Sequence, residues 1–155
     1  KNTVIFCNRK KDIGSLYTNL KKRNIPSIIF HGDLLQSKRQ EALNEFKNGN
    51  NKILIASDVA GRGIDIENIS HVINFDVPIN PEDYVHRIGR TGRAGKKGTA
   101  ITLVLKKDTK YLQEIEKIIK MKIKIFNINL EEKKIQDYEF DTLYESNQIP
   151  NFLKR

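Results

Sequence analysis

The sequence predicts an α/β domain, with one mainly parallel sheet covered by helices on both faces. Three observations lead there. Short apolar blocks alternate with segments of helical period along most of the chain, the pattern of successive βαβ units. Its 155 residues fit a single domain. Hydrophobic residues make up 38% of the chain, against 30% charged, enough to pack a core and too much for a disordered tail.

The first block, Thr3–Cys7, is wholly apolar after Thr3 and reads as a buried strand. Lys11–Arg23 places Ile13, Leu16, Tyr17 and Leu20 at helical spacing, until Asn24 and Pro26 break the period. Ser27–Phe30 is a second strand. Gln36–Lys47 carries Ala42, Leu43 and Phe46 on one side of a helix that Asn48-Gly49-Asn50-Asn51 ends. Ile53–Ala56 and His71–Phe75 are the third and fourth strands. Asn80-Pro81-Glu82-Asp83 starts a helix, with Asn80 as cap, Pro81 in the first turn and Asp83 completing a box-like spacing. Thr99–Leu105 is a fifth strand. Lys110–Lys120 is a helix with Leu112, Ile115, Ile118 and Ile119 inward, and Ile123–Ile128 a sixth strand. From Glu131 the text turns polar, so the domain is drawn over residues 1–130 with an extension over 131–155. Lys1-Asn2-Thr3 leads straight into an apolar strand with no initiator Met, so the chain reads as a piece of something longer.

Charge and residue usage narrow the chemistry. Lys plus Arg number 28 and Asp plus Glu 19, for a formal net charge of +9, which suggests an anionic partner. No apolar run approaches the roughly 20 residues of a membrane span. One cysteine excludes a disulfide framework and a cysteine-based zinc site, and fits a reducing compartment. His31, His71 and His86 are far apart, without the spacing of a metal-binding pair.

In a parallel sheet, ligands bind beyond the carboxyl ends of the strands. Three segments there carry chemistry. His86–Gly98 sets arginines at 87, 90 and 93 and glycines at 89, 92, 95 and 98, with no acidic residue. On a helix, Arg87, Arg90 and Arg93 would share a face. Arginine forks onto phosphate oxygens, and glycine lets a backbone approach them. A solvated basic turn is the plainer reading, but such turns mix Lys, Glu and Ser. Ile53–Ile66 runs from a strand into a loop with Ser57, Asp58, Gly61, Gly63 and Asp65. Ser57 could donate to a phosphate and Asp65 accept from a sugar, or Asp58 could simply form a turn. Position 66 is Ile, so this is not the dinucleotide fingerprint. His31–Arg39 opens a helix with Gln36 and Arg39 one turn apart, where backbone donors attract anions; a capped helix with a solvated arginine fits equally. A phosphate-cradling Gly-x-x-x-x-Gly-Lys-Ser/Thr loop is absent from the sequence, as is an acidic motif suited to magnesium. The chain offers arginines to a phosphate without a cradle, and such a half-site implies a second domain.

Together these segments resemble the C-terminal RecA-like domain of a DEAD-box RNA helicase, of helicase superfamily 2. Val4–Asn8 resembles motif IV, and Gln36-Ser37-Lys38-Arg39, following His31-Gly32-Asp33, the Gln-x-x-Arg motif. Ala56–Asp65 resembles motif V, Val72–Pro78 motif Va, and Tyr84–Arg93 motif VI. The five motifs stand in order over Thr3–Ile128.

The resemblance implies a RecA-like fold and half of an ATP-dependent RNA helicase that remodels RNA by ATP-driven closure of two domains. ATP with Mg2+ would be held mainly by the N-terminal RecA-like domain of the same protein. Arg90 and Arg93 would be arginine fingers on the γ-phosphate, with Gly63 and Asp65 at the nucleotide and Asp65 on its ribose. Asn8, Arg9, Gly32, Arg39 and Ser57 would lie along RNA, with Gln36 supporting that strand. His86 and Arg87 would organise the interdomain face. The isolated chain would be inactive, and the whole protein an intracellular monomer of cytoplasm or nucleus. A catalytically inert RNA- or protein-binding module is the competing expectation. Arg9 stands where the family commonly has Thr, and Ser57 in the place of another Thr. Gly61 stands where Ala or Ser is common, a change expected to loosen its loop slightly.

Overall fold

A computed structural model describes residues 1–61, 69–92 and 97–127. Five strands form one sheet: β1 (Asn2–Cys7), β2 (Ile28–Phe30), β3 (Ile53–Ser57), β4 (Ile69–Asn74) and β5 (Thr99–Thr102). Their spatial order is β2-β3-β1-β4-β5 and every pairing is parallel. Five α-helices connect or follow them: α1 (Lys10–Lys22), α2 (Gln36–Lys47), α3 (Asp58–Gly61), α4 (Pro81–Ile88) and α5 (Thr109–Ile119).

The order explains the layers. From β1 the chain moves two places one way to β2, then reverses towards β3, β4 and β5. Crossovers between parallel strands are right-handed, so reversing direction switches the face on which the helix lies. Accordingly α1 packs its Ile13, Leu16, Tyr17 and Leu20 against Cys7 and Ile55 on one face. On the other, Ala42 and Phe46 of α2 meet Val4, Phe6, Leu54 and Ala56. Tyr84 and Ile88 of α4 join Ile115 and Ile119 of α5 over Ala100. Val4, Val72 and Ala100 are in register across β1, β4 and β5, so α4 and α5 share the face of α2. The carboxyl ends of all five strands form one edge of the domain.

Of the expected elements α2 keeps its limits and others form with shifted ends, α3 stands where a loop was expected, and four further details differ. The fifth strand stops at Thr102, because Leu103 to Leu105 are exposed. Ile118 faces solvent while Leu112, Ile115 and Ile119 point inward. The Asn80 side chain caps the Glu82 amide at 3.0 Å, whereas the Asp83 amide bonds the Asn80 carbonyl. No sixth strand forms over residues 123–127, and Ile128 lies outside the described residues. That segment is held by its start: the Glu116 carboxylate accepts from the Ile123 amide at 2.9 Å and from Lys122 at 2.6 Å. Burial raises the Glu116 pKa, but these two donors outweigh it and hold the carboxyl below its ordinary range. Gly63, Asp65, Arg93 and the 131–155 extension also lie outside the described residues.

Cys7 ends β1 fully buried. Burial first, then the carboxylates of Asp76 and Asp12, push its thiol up from the ordinary 9.0 to about 12. A thiol whose pKa is raised on folding favours the folded state below the unfolded value, and that contribution fades as pH rises above it. The folded domain should therefore resist iodoacetamide at pH 8.5, react once denatured, and melt at lower temperature as pH climbs beyond about 9. Fast labelling of native protein would contradict this packing.

Candidate nucleotide and nucleic-acid edge

At the carboxyl edge, β1 lies between β3 and β4. The chain leaves β1 towards α1 on one face, and leaves β3 and β4 towards the other face. The backbone therefore parts between these strands, which is where open α/β sheets usually seat a ligand. Here the crevice is filled from within. Arg87, in the last turn of α4, is 2% exposed. Its Nε and one terminal nitrogen donate to the two Asp58 oxygens at 2.5 and 2.7 Å. The same terminal nitrogen donates to Asn8 Oδ1 at 2.6 Å. The other donates to the Asp76 carbonyl at 3.0 Å and Asn74 Oδ1 at 3.4 Å. The Phe6 ring lies 5.5 Å from the guanidinium carbon.

Each partner is itself held. Asn8 donates its backbone N–H to Asp76 at 3.1 Å and its side-chain amide to the Val77 carbonyl at 3.0 Å. Asn74, fully buried, donates to Thr102 Oγ1 at 2.9 Å. The network joins the ends of β1, β3 and β4 to α4.

Of the three arginines, Arg87 lies in α4 and Arg90 just beyond its end, while Arg93 lies outside the described residues. The Gly89 amide closes α4 on the Val85 carbonyl at 2.9 Å. Arg90 and Thr91 then bond three residues back, to Arg87 and Ile88, and Gly92 turns with φ +69°. Arg87 therefore points inward, half-buried Arg90 follows the helix, and His86 is exposed. Arg87, expected to organise the interdomain face with His86, is buried within its own domain: Tyr84, Arg87 and Ile88 share the buried side of α4, since residues three and four apart stack on one face. That spacing was readable in the sequence. An always-charged residue on a buried face demands a carboxylate, and Asp58 is the one supplied. From sequence Asp58 reads as a turn former and Asn74 and Asp76 carry no role, because their shared partner Arg87 lies 11 to 29 residues away in the chain.

Arg90 lines a small cleft with Asp58, Gly61, Asp83, His86 and Arg87. Thr91 Oγ1 donates to the Ile69 carbonyl at 2.6 Å, pinning Thr91 to the start of β4. On the other side of the edge, Gly32 is open, with no atom within 4 Å of where a Cβ would stand. Gln36 begins α2, whose Leu35 cap position makes no side-chain bond, so its first amides remain available. Arg39 stacks over Phe30 at 5.2 Å and its Nε is buried without a partner. Arg9 is exposed and paired with Asp12 at 2.7 Å, and that hydrogen bond holds its pKa above the ordinary value. Lys10 and Asp33 pair at 2.5 Å between the first two loops. Ser57 is 8% exposed at the end of β3. Among the described residues no three His, Cys, Asp or Glu gather to hold a metal, and no helix is long and apolar enough to cross a membrane.

Gly61 departs from the expected looseness. It is buried in α3, and a Cβ there would overlap the Phe6 ring. The missing methyl is what lets Phe6 seat beneath Arg87. Gly61→Ala should cost about 1–3 kcal/mol through overpacking, seen as a lower urea midpoint at unchanged slope. An unchanged midpoint would mean that the ring yields freely.

An all-parallel 2-3-1-4-5 sheet with arginines at its carboxyl edge defines a RecA-like α/β domain of the helicase class. Residues 1–95 match the family described as Helicase conserved C-terminal domain, and the chain belongs to that family. It is 46% identical to the ATP-dependent RNA helicase FAL1 of Candida albicans over 82% of this chain and 32% of that protein. Escherichia coli DEAD-box protein SrmB, solved bound to RraA, superposes with TM-score 0.77 at 40% identity, over 82% of this chain and 75% of that one. Saccharomyces cerevisiae Dbp5, solved bound to RNA and ADP BeF3, superposes with TM-score 0.71 at 41% identity, over 75% of this chain and 32% of that one. The chain spans about a third of the length of curated relatives such as FAL1.

Proposed function

We propose that this domain is the C-terminal half of an ATP-dependent RNA helicase. In it, Arg90 and Arg93 complete a triphosphate site begun by an N-terminal RecA-like domain, and the loops after β1, β2 and β3 track RNA. The observation that carries this reading is the placement of Arg90 in a cleft at the carboxyl edge, beside Asp58, Gly61, Asp83 and His86, in a chain whose residues 1–95 match the helicase C-terminal family. Such an edge suits the outer end of a triphosphate. Magnesium and most of the nucleotide belong to the other domain, with Gly63 and Asp65 at its sugar side.

RNA would run past Asn8, Arg9, Gly32, Gln36, Arg39 and Ser57. The open Gly32 and the uncapped start of α2 support a backbone-tracking, sequence-tolerant contact. Asn8 and Ser57 are largely turned inward, so their share would come chiefly from the backbone. His86 is the exposed motif VI residue that would meet the other domain. ATP and RNA binding would close the two domains on one bent strand, opening pairing locally. The buried free thiol fits an intracellular setting, cytoplasm or nucleus, and a monomer suffices.

The test is ATP turnover. The isolated chain should hydrolyse almost no ATP, and the protein carrying both domains should turn over with RNA and less with DNA of the same sequence, since the 2′-hydroxyl distinguishes them. RNA affinity should fall with salt at a log–log slope near −2, taking about three phosphates at roughly −0.7 each. Failure of RNA to stimulate the two-domain protein would leave an inert binding module instead.

A further inference from the structure

Resting on that reading, we infer that Arg87 is a positioning residue that makes the RNA-facing loop after β1 and the nucleotide-facing start of α3 move as one body. The fork is fully spent: five hydrogen bonds reach Asp58 twice, Asn8, Asn74 and the Asp76 carbonyl. One nitrogen is shared between Asn8 at 2.6 Å and Asp58 at 2.7 Å. Asn8 is the residue directly before Arg9 and Lys10, on the proposed RNA path. Asp58 begins α3, whose Gly61 lines the cleft of Arg90.

A shift of Asn8 cannot be absorbed where it occurs. Its backbone N–H is held by Asp76, its side-chain amide by Val77 and its oxygen by Arg87. Beneath them Phe6, 2% exposed, fills the space down to Gly61. Close-packed interiors pass a displacement on instead of cushioning it. RNA drawing on the β1 loop therefore moves Asp58, and with it the cleft of Arg90. Linkage makes the effect reciprocal: nucleotide tightens RNA by the factor by which RNA tightens nucleotide.

The experiment uses the full-length protein and measures RNA dissociation constants with and without ADP-BeF3. Wild type should show a coupling factor in the usual range of about 5–150. Arg87→Lys keeps the charge beside Asp58, but a single ammonium cannot span Asp58, Asn8 and Asp76 together. In that variant the factor should fall towards one, by about fivefold or more, while RNA affinity without nucleotide and nucleotide affinity without RNA stay within about twofold. Wild-type coupling in folded Arg87→Lys overturns the inference. So does an equal loss of nucleotide affinity without RNA, which would mean direct contact. Absence of coupling in wild type sinks the helicase reading itself. Should the variant fail to fold, hydrogen exchange on wild type decides: RNA alone should slow exchange over Asp58–Gly61 as well as Asn8–Lys10, and protection confined to the latter overturns the strut.

Discussion

In the full-length protein, Arg93→Ala is expected to lower RNA-stimulated ATP turnover by about 10³–10⁵, with the fold intact. The argument is electrostatic. The transferred phosphoryl group spreads negative charge over its oxygens at the transition state, and a guanidinium delivered from outside the cradle stabilises that charge. A loss of this size equals roughly 4–7 kcal/mol of barrier. It should appear in kcat, with RNA affinity in the absence of nucleotide little changed, because the group acts on the reacting phosphate. Arg90→Ala should lower turnover in the same direction. Normal turnover in Arg93→Ala would refute the finger assignment.

Arg87→Ala, three residues before Arg90 in the same motif, should instead act on stability. Removing it leaves Asp58 without the partner that holds both its oxygens, and strands Asn8 and Asn74 in the interior. Breaking one side of a buried ion pair costs about 3–5 kcal/mol. The 22% exposure of the Asp58 side chain sets the expectation at the lower end, since water can reach that carboxylate. Domains of this class have only about 5–15 kcal/mol in total, so the melting temperature should drop by roughly 10 °C or more. Thermal and urea melts of the isolated domain check this without any partner. A melting temperature within a degree or two of wild type would mean that the network adds little. The two arginine substitutions should thus separate: one costs turnover at intact fold, the other costs fold.

Most of the architecture was legible because burial writes a period into the text. Gln36–Lys47 was bounded by its apolar spacing and the Asn-Gly run after it, and the structure has the same limits. Where the signal was weaker, so was the reading. Thr99–Leu105 and Ile123–Ile128 are apolar enough for strands, yet residues 103–105 and 123–127 are outside the sheet. Apolar alternation states a preference for burial without supplying a neighbour to pair with.

At the edge, the sequence alone determined which residue types stand at the strand ends: arginines and glycines in motif VI, an acid after β3, an amide after β1. Strand propensity and spacing are local, so they survive being read in one dimension. Only the tertiary structure decided that Arg87 turns inward while Arg90 does not, that Asp58 is its counter-charge 29 residues away, and that Gly61 is vacant for Phe6 instead of being merely flexible. Those choices depend on which side chains meet across separate strands. A charge is placed by the partners that can offset its loss of water, and those partners are neighbours only after the sheet has formed.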